Sequence, residues 1–287
     1  MAYWPDFEAP TPLQYFAALV AEDRGFALLE AAAAVGMDEA PRLDTQAVLA
    51  QIDELGARLK RRVPADAAAL PKLRLLNHYF FEELGFAGNV NDYYDPRNSY
   101  LHEVLRTRRG IPITLALLYI EIGQQVGLPL RGVSFPGHFL VKVRASRGEV
   151  IIDPMTGKSL SREDLDERLA PYRRQGGPLG EFDVPLALYL QAAPPRDILA
   201  RLLRNLKEIH RSAGETRRLL AVCDRLVVLL PLAWAERRDR GLVRAELGLD
   251  DAAAADLRAY VEHEPEAADA PSVRERLLAL GGDGTRH

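Results

Sequence analysis

A chain of 287 residues, 48% hydrophobic and 27% charged, has the composition of an ordinary globular protein and a length suited to about two domains. Its 37 Lys and Arg against 41 Asp and Glu leave a net charge of −4, so it carries no basic field for a phosphate backbone, and nucleic acid is excluded as an implied partner. Cys223 is the one cysteine, which rules out an internal disulfide and a cysteine cluster for zinc and suits a reducing compartment. No run approaches the roughly 18 to 20 apolar residues of a membrane span. The opening MAYWPDFEAP lacks a basic segment ahead of an apolar one, so no secretory signal is expected and a cytoplasmic location is.

From Pro12 to about Leu84 the pattern is helical. Leu13, Phe16, Ala17 and Val20, then Phe26, Leu29 and Ala32, recur at three-and-four spacing. Asp44-Thr45 caps a further helix through Ala47, Leu49, Ile52, Leu55 and Leu59, and Leu73, Leu76, Phe80 and Phe81 continue the layer to Gly85. Asn89 to Arg97 is rich in Asn, Asp, Gly and Pro and reads as a long loop. A short helix through Leu101, Val104 and Leu105 follows. After Arg108-Arg109-Gly110, Pro112 occupies a first helical position, and ITLALLYIEIGQQVG, apolar on most sides, reads as the buried central helix, stopping at Gly127.

The period then changes to two. Phe139, Val141 and Val143 alternate with His138, Leu140 and Lys142, Ser146-Arg147-Gly148 is a turn, and EVIIDP returns, so a β-hairpin is expected to bring His138 and Asp153 together. Beyond Pro194-Pro195 the chain is helical. Ala213-Gly214 precedes Leu247-Gly248 by 34 positions, and the same interval relates Asn205 to Asp239, Leu226 to Tyr260 and Leu230-Pro231 to Glu264-Pro265. That is the period of the tetratricopeptide repeat, and two such repeats are expected to need packing against a neighbouring domain. The expected division is a helical layer plus core over 1–193 and repeats over 194–287.

The run RRGIPITLALLYIEIGQQVGLPLRGVSFPGHFLVKV with EVIIDP resembles the transglutaminase-like superfamily. With NDYYDPRNSYLHEVL before it and the repeats after it, the chain, from about Leu73 to Pro265, looks most like the SirB-type bacterial family of transglutaminase-like proteins. The resemblance implies an α+β fold, a transglutaminase/papain-like core of helices on a small antiparallel sheet, followed by an all-α repeat segment. In active members a cysteine opens the central helix, a histidine begins a following strand and an aspartate orients it, a set that activates a thiolate for attack on a carbonyl. His138 and Asp153 match the last two. Counting back from Gly127-Leu128-Pro129, which resembles the Gly-Ile-Pro closing that helix, the nucleophile position falls on Ile111 or Pro112, neither of which can attack a carbonyl.

Cys223 lies on an amphipathic helix beside Val222, Leu226 and Val227, the setting of a small core residue. Thr114 and Ser134 are the nearest hydroxyls that could substitute as nucleophiles, the alternative being that Thr114, one turn into the helix, bonds the backbone behind it. Arg109 precedes a helix N-terminus that favours anions, and an alternative is that it pairs with Asp92 or Asp95 and pins the loop. Asp92, Tyr93, Tyr94, Asn98, Tyr100 and Thr114 are candidates to line a groove with it, and a loop this long and polar is more than a connector. His78, Glu82, Glu83, His102 and Glu103 lack the spacing of a metal set, and no phosphate-binding glycine loop is present, so no metal or cofactor is expected. Two functions remain: a module without the nucleophile that binds a protein or peptide partner, or a hydrolase or acyl transferase built on a residual His138–Asp153 pair. Oligomeric state is left open.

Overall fold

A computed structural model of the chain describes residues 9–22, 25–64, 66–145, 148–174 and 184–282. In chain order, α1 (Pro12–Leu19), α2 (Leu28–Ala34), α3 (Thr45–Lys60) and α4 (Ala69–Asn77) form the first third, and α4 runs into a π-turn over His78–Glu83. Then come β1 (Ala87–Gly88), a 3-10 turn at Pro96–Ser99, α5 (Leu101–Thr107), β2 (Arg109–Gly110) and α6 (Pro112–Gln125). Four strands follow, β3 (Leu130–Val133), β4 (Leu140–Ala145), β5 (Gly148–Ile152) and β6 (Ser159–Leu160), and after them α7 (Arg162–Arg174) and α8 (Leu186–Tyr189). The remainder is helical: α9 (Pro195–Ser212), α10 (Thr216–Leu229), α11 (Trp234–Glu246), α12 (Asp250–His263) and α13 (Ala270–Gly282).

Two compact units divide these elements, a core unit of Leu28–Gly36 with Leu43–Ile198 and a repeat unit of Met1–Ala27, Met37–Arg42 and Leu199–His287. The helix α1 therefore belongs with the C-terminal helices, not with the layer in which its periodicity first places it. Its Phe16 is fully buried and lies 5.6 Å from the guanidinium of Arg225 on α10, which also forms a two-pronged ion pair with Asp38.

In the core unit α6 is buried nearly all round, with Leu115, Ala116, Leu118, Tyr119 and Ile122 inaccessible to solvent, as a helix without a polar face must be. It packs on α3 and on β3 and β4. The antiparallel sheet has the order β3-β4-β5-β6, with Val141 opposite Ile152 and Ala145 opposite Gly148, which is the expected hairpin. Ser146 and Arg147 of its turn lie outside the described residues. Leu140, assigned by alternation to the polar face, is buried with Val133, Phe135 and Ile151 against Leu165 and Leu169 of α7. At its start β4 is packed on both faces, by α6 and by α7, while Lys142 is half-buried and Arg144 reaches solvent farther along.

In the repeat unit Gly214 and Gly248, 34 positions apart, close α9 and α11 with φ of 69° and 71°. The matching pair of left-handed glycines at matching helix ends is the structural form of the sequence period.

Candidate functional site

The turn after β5 fixes Asp153 through the backbone before any side chain is considered. Its N–H donates to the Lys158 carbonyl at 2.9 Å, and its own carbonyl accepts from the Gly157 amide at 2.8 Å. Asn77 Nδ2 donates to the Gly157 carbonyl at 3.2 Å, while Asn77 Oδ1 accepts from the Tyr119 hydroxyl at 2.5 Å, so α4 and α6 hold this turn from behind. Met155 accepts from the Gly88 amide at 3.3 Å. The approach is close: a Cβ on residue 88 would stand 2.1 Å from Met155 Cε, so the methionine side chain would have to move.

On this mount Asp153 Oδ1 meets His138 Nε2 at 3.0 Å, inside the hydrogen-bond reach that base and orienting group need. The same oxygen accepts from the Met155 amide at 3.0 Å, and Oδ2 accepts from Arg168 Nη2 of α7 at 3.0 Å. The Asp153 side chain is only 7% exposed. Burial pushes its carboxyl up, but the hydrogen bond and charge of His138, the Met155 amide and Arg168 outweigh burial and hold it at about 2. Arg168 is the site residue that sequence reasoning passes over: in REDLDERLAPYRR it is one charge among many on an apparently solvated helix.

The N-terminus of α6 is tied to the same turn through two short strands. β1 and β2 pair in parallel with Gly88 beside Gly110, and the Asn89 amide donates to the Gly110 carbonyl at 3.1 Å. Next along the chain, Ile111 is the buried N-cap of α6 and Pro112 its first residue. Thr114 is fully buried: its hydroxyl donates to the Asn98 carbonyl at 2.8 Å and accepts from the Ile111 amide at 3.2 Å. It is a helix cap. Ser134 is exposed in the segment between β3 and β4.

Asn98 is the knot of the 89–97 loop. Its Nδ2 donates to the Asp92 carbonyl at 2.7 Å and to the Tyr93 carbonyl at 3.3 Å, and its Oδ1 accepts from Asn89 at 3.0 Å. Tyr93 and Tyr94 stand edge to face at 5.4 Å, Tyr94 largely in solvent, and Asp92 is exposed. Tyr100 is buried and stacks on His102. The expected pairing of Arg109 with Asp92 or Asp95 is corrected by the structure. Arg109 Nη1 donates instead to the carbonyls of Gly85 at 2.8 Å and Arg108 at 2.9 Å, and Asp95 is taken by Arg97, two residues on, at 2.6 Å.

His78 bonds Glu82 at 2.8 Å and approaches Glu83 at 3.5 Å. Among the described residues no group of three or more His, Cys, Asp or Glu is placed to hold a metal ion, and no helix is long and apolar enough to cross a membrane. Cys223 is fully buried in the repeat unit between Leu219 and Val243, and burial pushes its thiol up to about 12. The repeat unit also holds a cavity of about 440 Å³ lined by His210, Arg211, Leu219, Arg238, Leu242 and Glu246 among others.

Comparison with known proteins agrees with this layout. Residues 46–204 match the transglutaminase-like superfamily, and residues 206–278 match the tetratricopeptide repeat. A UPF0162 protein of Xylella fastidiosa (strain 9a5c) is 36% identical over 91% of this chain and 92% of its own length. One of Pseudomonas aeruginosa is 34% identical over 80% of this chain and 82% of its own length. F-box only protein 21 of Mus musculus is 46% identical over 70 residues, 24% of this chain and 11% of its own length. With the superfamily match covering more than half of the residues and the bacterial relatives aligned along most of them, the chain belongs to the transglutaminase-like superfamily, as a UPF0162 protein whose core is followed by tetratricopeptide repeats.

Proposed function

We propose that this protein is a non-catalytic transglutaminase-like module of the SirB type, working in the cytoplasm, whose groove at His138 and Asp153 and whose repeats bind protein segments. The observation that carries the reading is the state of the nucleophile position. Ile111 and Pro112 stand where α6 begins, and the only thiol, Cys223, is buried and held far from its reactive thiolate form. A thiol with its pKa raised to about 12 is almost wholly protonated at neutral pH. The cavity of the repeat unit supports a peptide partner, since both charged and apolar side chains line it. The cytoplasmic part of the reading rests on the single cysteine and hence on a chain with no internal disulfide.

A second reading, a hydrolase or acyl transferase acting through water or another nucleophile, is favoured by one observation: the His138–Asp153 hydrogen bond is intact at 3.0 Å. The test captures partners from a native extract with the full chain and compares His138→Ala and Asp153→Ala with Arg211→Glu and Glu246→Arg in the repeat cavity. The binding reading expects the cavity variants to lose partners that the wild type retains. Turnover of an amide or ester that His138→Ala abolishes would overturn it in favour of the enzyme.

A further inference from the structure

The cavity of the repeat unit is walled by the end of α9, the start of α10 and one side of α11, and its charges are not equally engaged. Arg211 is taken by Glu208 at 2.9 Å and Asp239 at 3.2 Å, and Arg238 by Asp239 at 2.7 Å and by Asp269. Asp269 also accepts from the Tyr260 hydroxyl at 2.5 Å, and the buried His210 bonds Glu215 at 2.7 Å. Both guanidiniums of the lining are thus neutralised by carboxylates of the same unit. Glu246 is the charge left over. It is exposed, and among the described residues its side chain has neither an ion pair nor a hydrogen bond.

The place of Glu246 sharpens its need for a cation. It is the last residue of α11, at the end where the backbone dipole is negative and cations, not anions, are stabilised. Arg244, the basic residue of that last turn, is held by Asp224 at 3.0 Å and Asp256 at 2.8 Å. Leu242 and Val243, four and three residues before Glu246, share its face of the helix, and Leu219 of α10 joins them in the lining. A Cβ on Gly214, also in the lining, would meet nothing within 4 Å, so the space beside it is open. An acidic ligand would have to displace Asp239 or Asp269 from an arginine, whereas a basic one meets a carboxylate with nothing to displace. Lysine and arginine also carry apolar stems that lie along aliphatic side chains while the charged head stays at the water's edge.

We propose that the repeat cavity takes a peptide segment by a lysine or arginine side chain, its stem laid on Leu219, Leu242 and Val243 and its charged head paired with Glu246. This rests on the peptide-binding reading above and adds to it the sign of the charge that the partner must present. The exposed Glu262, Glu264 and Glu266, in the segment that leads to Asp269, give an approaching basic segment a field of the same sign.

In the experiment the full chain is immobilised and offered an equimolar mixture of capped seven-residue peptides with every residue type at the central position, and the retained peptides are sequenced by mass spectrometry. Lysine and arginine are expected to be enriched at the centre about fivefold over aspartate and glutamate, the factor that one partly exposed ion pair supplies. Glu246→Gln flattens the preference and Glu246→Lys turns it toward aspartate and glutamate. Glu275→Lys, the same change of charge on an exposed acid of α13 outside the lining, leaves it as in wild type. Retained peptides with no excess of basic residues, a preference that Glu246→Gln keeps, or one that Glu275→Lys reverses equally, overturns the proposal and leaves peptide binding itself standing. Retention of no peptide by the wild type overturns both.

Discussion

Thr114 does for α6 what a capping side chain does at many helix starts, but from the third residue, reaching back to the Ile111 amide and sideways to the Asn98 carbonyl. Thr114→Val keeps the shape and removes both bonds in a fully buried place, so a loss of about 1 to 3 kcal/mol is expected in urea unfolding, with Thr114→Ser close to wild type. A valine variant as stable as wild type would show the hydroxyl to be idle. Asp153 permits a pH test. Its folded-state carboxyl is held at about 2, below the ordinary 3.8, so its contribution is complete above that ordinary value and is lost as pH falls through about 2. The shift corresponds to about 2 kcal/mol. Asp153→Asn is therefore expected to be less stable than wild type at neutral pH by roughly that amount, the gap narrowing in acid, and a gap constant with pH would contradict the assignment. His138 and Asp153 were legible because alternation on either side of one turn states which strand ends meet. Arg168 was not, since charge spacing along a helix says nothing about which guanidinium finds a carboxylate 15 residues away.

At the scale of elements, long patterns were readable and short ones were not. The 14 residues of α6 declare a buried helix by lacking a polar face, and Asp44 caps α3 through the Gln46 and Ala47 amides as its position suggests. The two-residue strands β1, β2 and β6 have no period to detect, and the neighbouring strand supplies what fixes them. The π-turn at His78–Glu83 is equally silent in sequence, yet it leaves Phe81 against Gly157 in the turn behind Asp153. These short pieces mount the site, so one of them provides the test. Gly88→Ala puts a methyl 2.1 Å from Met155 Cε and 3.2 Å from its Cβ, so the methionine must change rotamer and the turn must give by a few tenths of an ångström. A loss of about 1 to 3 kcal/mol is expected in thermal unfolding. Met155→Ala in the same chain should recover part of it, and purely additive effects would argue that the two residues do not meet.

Over the whole molecule the two units are built on different terms, an apolar core around α6 and a repeat unit laced with buried charge. Lys207, 6% exposed, bonds Glu236 at 2.6 Å and Asp239 at 2.5 Å, and Glu236 also accepts from Arg204 at 2.8 Å. Burial pushes the Asp239 carboxyl up, but Lys207 and then Arg238 pull it below the usual carboxylate range. Its contribution is therefore present above that range and lost as pH falls beneath it. Lys207→Met removes a buried partner and leaves two acids leaning on arginines alone, so a loss of roughly 3 kcal/mol is expected at neutral pH. The difference from wild type should shrink in acid, where Asp239 is protonated in both. Trp234 lies in the repeat unit, stacked 3.6 Å from the His263 ring, so with the other tryptophan removed by Trp4→Phe the emission follows this unit. Unfolding read by emission should shift with Lys207→Met and not with Asp153→Asn, whose loss should appear in the circular dichroism of the whole chain as a transition that emission does not follow. Equal shifts of both signals in both variants would mean that the two units unfold as one, and the charged network would then be a property of the whole chain.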